Sequence, residues 1–193
     1  MTNTYPSLQP FGLADEAGYQ AWREARLAGY VALAADAVVP VSDIARLDAS
    51  EHAAILEHCR ASNFAIYEVT GGVATDKQAI RALGRQFGLE HLDMNLRADE
   101  DSITSLRVIE AAAGTHYIPY TNRPLNWHTD GYYNRPDRQV HGIVMHCVSA
   151  SASGGENLLL DPEIAYLLLR DENPDYVRAL MQPDAMTIPP NIE

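Results

Sequence analysis

His128 and Asp130 stand two positions apart in the stretch NWHTDGYYN, residues 126–134. On a β-strand, residues i and i+2 project from one face, so this spacing lets an imidazole and a carboxylate reach a common point while Thr129 faces away. Those are two of the three ligands of a 2-His-1-carboxylate facial set, which leaves adjacent positions of an octahedral Fe(II) open for a co-substrate and oxygen. A second histidine would have to come from elsewhere. The same spacing also fits a solvated loop or a core histidine. Tyr117, Tyr120, Asn122, Tyr132 and Tyr133 surround the pair in sequence. Tyr120 and Tyr132 are the candidates to line a substrate pocket, although tyrosine is also an ordinary packing residue with a polar tip. Trp127 is out of phase with His128 and is expected to pack behind the metal-bearing strand. Arg135 and Arg138 could draw in an anionic substrate or sit on a solvated loop.

The elements that must carry these residues change character along the chain. Tyr19, Trp22 and Ala25 recur at helical spacing, which predicts an amphipathic helix. Asp48 precedes Glu51 by three residues, a capping box for a second helix that stacks Ile55, Leu56 and Cys59. Phe64 to Val69 is rich in strand formers and runs into Gly71-Gly72. A third helix is expected with Thr75 and Gln78 as its capping pair, Ile80, Leu83 and Phe87 as its buried stripe, and Gly88 as its stop. From Ser105 onward the pattern predicts short strands: 105–110, the motif region, QVHGIVMHCV and NLLL. Asp161-Pro162 and Asn173-Pro174 each read as a helix cap and first turn, predicting two short helices. MTIPPNIE reads as a strand just beginning.

The 193 residues suffice for one substantial core, with no linker or repeat dividing the chain. A formal net charge of −12 argues against a nucleic-acid partner, because binding the phosphate backbone needs a surplus of Lys and Arg. No basic flank leads an apolar run, and no window approaches the roughly 20 apolar residues of a membrane span. The chain therefore reads as cytoplasmic, without membrane association. Cys59 and Cys147, each within an apolar pattern, read as reduced core thiols. Adjacent His146 is a poor base for Cys147, because neighbours on a strand point to opposite faces.

The succession NWHTDGYYNRP, a hydrophobic strand, then SGGENLLLD entering an amphipathic helix resembles the taurine dioxygenase-like family of Fe(II)/2-oxoglutarate-dependent oxygenases. The resemblance runs from about Phe64 to the C-terminus and is strongest from Asn126 to Asp161. It implies an α+β fold: a double-stranded β-helix, or jelly roll, with flanking helices. Residues 1–193 would form a single oxygenase-like domain, with a helical region to about 90 and the jelly roll from about 100. It also implies that His128 and Asp130 bind iron, and that the reaction couples oxidative decarboxylation of 2-oxoglutarate to hydroxylation of a small organic substrate by molecular oxygen. The Gly154-Gly155 segment would lie near the co-substrate. Asn157 falls where the family often has a hydroxyl residue contacting 2-oxoglutarate; an amide can donate the same bond. Gly154 and Gly155 equally suit a plain turn with Asn157 at its edge.

The resemblance breaks in one respect. The family's second iron-binding histidine and the arginine that clamps 2-oxoglutarate have no counterpart after His146. His141 and His146 come too early in the family order, and Arg170 and Arg178 fall in expected helices. The chain therefore resembles the N-terminal portion of a longer enzyme, with the C-terminal part of its jelly roll missing. Poor turnover of 2-oxoglutarate and apolar surface left for self-association into a homo-oligomer are the expectations. The alternative is a degenerate, non-catalytic family member that acts as a small-molecule-binding or regulatory protein. A zinc hydrolase built on His128, Asp130 and His146 would lack an evident general base.

Overall fold

The computed structural model describes residues 11–29, 38–72, 75–93, 102–109 and 118–187. The chain divides into two compact units, Met1–Val73 with Ser149–Glu193, and Ala74–Val148.

The first unit contains helix α1 (Glu16–Gly29), strand β1 (Val38–Val41), helix α2 (Ala49–Ser62), strand β2 (Ile66–Val69) and helices α4 (Pro162–Glu172) and α5 (Pro174–Leu180). β1 and β2 pair in parallel with Val38 opposite Ile66 and Val41 opposite Val69. A parallel pair cannot be closed by a tight turn, so α2 serves as the crossover. β1 was not anticipated in the sequence. Its centre is Pro40, opposite Glu68. A proline lacks the N–H a ladder needs, and is tolerated here because among the described residues β1 has a neighbour on one side only. Val39 and Val41 turn into the core on either side of the exposed Pro40.

α2 begins as its sequence predicts: Asp48 accepts from the backbone of Ser50 and Glu51, and the Glu51 carboxylate reaches back to the Asp48 N–H at 2.9 Å. Glu51 also takes the Ser42 N–H and hydroxyl, so this cap ties the end of β1 to α2. Asp161 and Asn173 cap α4 and α5 ahead of Pro162 and Pro174, as expected.

α1 docks on α4 through aromatic and charged contacts. Tyr19, Trp22, Phe11 and Tyr166 form a cluster of edge-on and tilted ring pairs with centroids 5.1–6.3 Å apart. The Tyr19 hydroxyl donates to Asp171 at 2.6 Å, and Arg23 reaches the other oxygen of that carboxylate at 2.7 Å. Arg170 is buried over the Tyr19 ring, 3.8 Å from its centroid, and donates to the Tyr166 hydroxyl at 2.8 Å. Asp161, fully buried, accepts from Arg26 of α1, from Asn63 at 2.8 Å and from the Glu163 N–H at 2.9 Å. A buried carboxylate is stable only with such partners, because its desolvation must be offset by hydrogen bonds and opposite charge.

The second unit contains helix α3 (Lys77–Gln86) and two single 3₁₀ turns, Ile118–Tyr120 and Pro136–Arg138. The cap of α3 is Asp76, which accepts from the Ala79 N–H at 2.8 Å, one residue on from the expected Thr75 pair. Aspartate, charged and short, caps the positive end of the helix directly. The stop is where it was expected. Gly88 takes φ 81°, its N–H bonds the Arg85 carbonyl and the Leu89 N–H bonds the Gly84 carbonyl, both at 3.0 Å. This double closure requires a left-handed residue that glycine adopts without strain.

The expected strands at 105–109, 126–134, 139–148 and 157–160 do not form ladders among the described residues. Their segments run without regular strand pairing, and β1–β2 is the one sheet described. Glu110, Tyr117 and the end of MTIPPNIE lie outside the described residues. Ile143 and Met145 are exposed while Val144 and His146 are half-buried, so the period-two pattern survives in exposure without strand partners. An alternating pattern secures a strand only where another strand takes up its backbone hydrogen bonds. No helix among the described residues is long and apolar enough to cross a membrane.

Candidate metal centre

His128 and Asp130 stand directly ahead of a turn. Gly131, directly after Asp130, has φ 69°, and the Asn134 N–H closes on its carbonyl at 2.8 Å. A Cβ at Gly131 would lie 2.5 Å from Val140 Cγ2, so both the backbone conformation and the space demand glycine. The chain therefore reverses just where a strand would continue. The Asn134 amide donates to the Arg138 carbonyl at 3.0 Å, and Arg138 pairs with Asp93 at 2.8 Å, which fixes the far side of the turn.

Ahead of this turn His128 Nε2 faces Asp130 Oδ1 at 3.3 Å, and His128 Nδ1 lies 2.7 Å from the Asn126 carbonyl oxygen. A carbonyl only accepts, so Nδ1 carries a proton. In a neutral imidazole the lone pair is then on Nε2, opposite a carboxylate oxygen. Two lone-pair atoms at this distance repel unless a cation lies between them. A proton on Nε2 would give an imidazolium–carboxylate pair; a metal ion would take both as ligands. Two donors about 2.1 Å from one octahedral ion and at right angles to each other stand about 3 Å apart, close to the observed separation. A ligating histidine also typically gives its other ring N–H to a carbonyl, the role Asn126 fills here. The donor set thus fits a divalent iron. Both side chains are partly open to solvent, 40% and 57% exposed. No group of three or more His, Cys, Asp or Glu able to hold a metal occurs among the described residues.

The other anticipated residues are distributed as follows. Tyr120 ends a 3₁₀ turn, half-buried, and its carbonyl accepts from the Ile109 N–H at 3.0 Å. Tyr132 is exposed and stacks edge-on with Tyr133, centroids 5.3 Å apart. Asn122 and His141 are exposed. Trp127 is 66% exposed, contrary to the expectation that it packs behind a metal-bearing strand. That packing needed a strand with a second layer behind it, and the turn provides neither. Cys147 is exposed and not a core thiol, because its segment enters no sheet among the described residues; Cys59 is half-buried, and burial pushes its thiol up. Asn157 belongs to the first unit. It is exposed, follows Gly154 and Gly155 at φ 70° and 84°, and makes a long 3.4 Å bond to the Gly155 carbonyl. Arg170 is held in the α1–α4 contact, as its helical position implied.

The sequence reading did not single out the Asn126 carbonyl or the Gly131 turn. A backbone carbonyl leaves no signature in residue type. Gly131 does: an Asp-Gly step is a turn signal that competes with the strand reading.

The model of the Taurine catabolism dioxygenase TauD, TfdA family matches residues 25–189. The chain belongs to this family, whose members are in general 2-oxoglutarate-dependent dioxygenases that use Fe(II). The chain has no significant match among curated proteins or among solved structures.

Proposed function

We propose that the chain acts as an Fe(II)- and 2-oxoglutarate-dependent dioxygenase that hydroxylates a small organic substrate, with His128 and Asp130 as iron ligands. The observation that carries this is the pair itself: a lone-pair nitrogen, its tautomer set by Asn126, turned toward a carboxylate oxygen at 3.3 Å in a family member. Bound Fe(II) with 2-oxoglutarate and oxygen supplies the power to break an unactivated C–H bond, the co-substrate leaving as succinate and carbon dioxide. The chain's own part is to hold the ligands, orient the substrate and limit water at the open face. Asn126 keeps Nδ1 protonated, so Nε2 remains the ligating atom. Asp130 supplies the negative charge that offsets the ion, and Gly131 sets its direction. Tyr120 and Tyr132 would present phenol edges and hydroxyls to the substrate. Asn157 would donate its amide to a carboxylate of 2-oxoglutarate, for which its single long hydrogen bond leaves it capacity. In this reading the segments 105–109, 139–148 and 157–160 belong to a jelly roll within one oxygenase-like domain, as the alternation at 143–146 supports.

Anaerobic titration with Fe(II), followed by assay of succinate formation over a panel of candidate acids and amines, tests the proposal. Wild-type chain should bind Fe(II), and His128→Ala and Asp130→Ala should each weaken binding by about tenfold or more, as the loss of one ligand from a small set implies. Equal Fe(II) affinity in both variants would sink the metal assignment. Tight Fe(II) binding with no succinate from any substrate would favour a non-catalytic, small-molecule-binding member instead.

A further inference from the structure

We propose that Asp93 is a positioning residue for the metal pair: it holds the Gly131 turn from the segment that follows α3, and through that turn it sets the direction of the Asp130 carboxylate. This role rests on the reading of His128 and Asp130 as iron ligands. The two are not held alike. The His128 ring is tied through Nδ1 to the Asn126 carbonyl, 2.7 Å away. The Asp130 carboxylate has no such tie: among the described residues its contact is with His128 alone, at 3.3 Å. Its direction must therefore come from its own backbone, which passes straight into Gly131. That residue is walled by Val140, whose Cγ2 lies 2.5 Å from the position a Cβ would take, and its carbonyl is fixed by the Asn134 N–H at 2.8 Å.

Asp93 grips the other end of the turn with both carboxylate oxygens. Oδ1 accepts from Arg138 at 2.8 Å and Oδ2 from the Asn134 amide at 3.4 Å, and the same amide donates to the Arg138 carbonyl at 3.0 Å. Asn134 is thus bound through its main chain to Gly131 and through its side chain to Asp93 and Arg138, so a displacement of Asp93 passes to the residue next to Asp130. Asp93 is itself placed by α3. After the left-handed closure at Gly88, Leu89 Cδ2 comes within 3.0 Å of the position a Cβ would take at Gly142, and Val144 Cγ2 lies 3.9 Å from the corresponding point at Gly84. The end of α3 and the segment 131–144 therefore meet at an apolar contact and at a two-oxygen polar one, all within the second unit. The Asp93 and Arg138 side chains are 30% and 60% exposed, so their pair adds little to global stability while it fixes local geometry.

Position and charge predict opposite signs for Arg138. Removing a positive charge from the neighbourhood of a cation should by Coulomb attraction tighten Fe(II) binding, whereas loss of the Asp93 tie should weaken it. The experiment compares wild type, Asp93→Ala, Asp93→Asn, Arg138→Met, Asp137→Asn and His128→Ala by anaerobic Fe(II) titration and by amide hydrogen exchange of the metal-free chain, with far-UV circular dichroism as the fold control. Asp93→Ala and Arg138→Met should each weaken Fe(II) binding about fivefold, less than the roughly 10–100-fold loss from a group that bonds a ligand directly. Both should also speed exchange of the Asn134 N–H by about the same factor. Asp93→Asn keeps an acceptor oxygen for Arg138 and should fall between them and wild type. Asp137, 71% exposed on the same turn, faces Arg135 at 3.6 Å; Asp137→Asn removes an equal charge without the tie and should change either readout by less than about twofold. Tighter Fe(II) binding in Arg138→Met, or unchanged Asn134 exchange in Asp93→Ala, would overturn the positioning role. A loss in Asp137→Asn equal to that in Asp93→Ala would do the same, because Asp93 would then act as a charge and not as a tie. Equal Fe(II) binding by wild type and His128→Ala would refute the iron reading and the role that rests on it. That failure is told apart from a failure of Asp93 alone, because the Asn134 exchange is read without iron.

Discussion

Asp161 is the residue whose loss should cost the first unit most. Its carboxylate is fully buried and meets three demands at once: it caps α4 through the Glu163 N–H, holds the Asn63 amide, and neutralises Arg26 of α1. Replacement by alanine removes a helix cap, about 1 kcal/mol. It also strands Arg26, whose side chain is 10% exposed. Breaking a buried pair by deleting one partner costs about 3–5 kcal/mol when the survivor has nothing else. Arg26 keeps Glu163, 2.7 Å away and one-third exposed, so the lower end applies. Neighbouring terms overlap and do not add, which gives a loss of about 3 kcal/mol for Asp161→Ala, a large fraction of an ordinary folding free energy. Asp161→Asn retains an oxygen for the cap but loses the charge and turns an N–H toward Arg26, so it should fall between, at about 2 kcal/mol. Urea denaturation of wild type and both variants, followed by far-UV circular dichroism, measures this. A loss below about 1 kcal/mol for Asp161→Ala would refute the reasoning, because it would mean that Arg26 and Asn63 find other partners at little cost.

Two further outcomes are expected. Gly131→Ala should destabilise by about 1–3 kcal/mol, from a left-handed backbone and a Cβ 2.5 Å from Val140, and should weaken Fe(II) binding at the adjacent pair. Adding Val140→Ala should restore the part due to the clash and leave the backbone part, and full restoration in thermal melts and Fe(II) titrations would show that φ carries no strain. Burial raises the Asp171 carboxyl, but hydrogen bonds from Tyr19 and Arg23 outweigh it and hold the group below the usual carboxylate range. A depressed folded-state pKa gives stability that is complete above the unfolded value of about 3.9 and is lost as pH falls through the lowered folded value. Asp171→Asn should flatten that acid limb of the stability–pH curve, and an unchanged limb in acid titration would remove Asp171 as its source.

What could be read in the sequence divides by the range of the forces involved. Caps were legible because each is decided within four residues: Asp48 with Glu51, Asp161 before Pro162, Asn173 before Pro174 and the stop at Gly88 all form as their local chemistry requires. β1 was not, because a four-residue strand centred on proline has no local signal and exists through its pairing with β2, 28 residues on. The same dependence explains why the alternating run at 139–148 suggested a strand without showing its partner. At the site, the two residues were legible from chemistry, while the strand expected to carry them does not form among the described residues. The strand reading needed His128 and Asp130 to be carried side by side by backbone alternation. They lie 3.3 Å apart just ahead of the turn that opens at Gly131, with the ring held through Nδ1 at the Asn126 carbonyl. A two-residue spacing can place i and i+2 within reach of one ion whether or not the segment pairs as a strand. The glycine that follows Asp130 ends the segment there, because φ 69° cannot continue a strand.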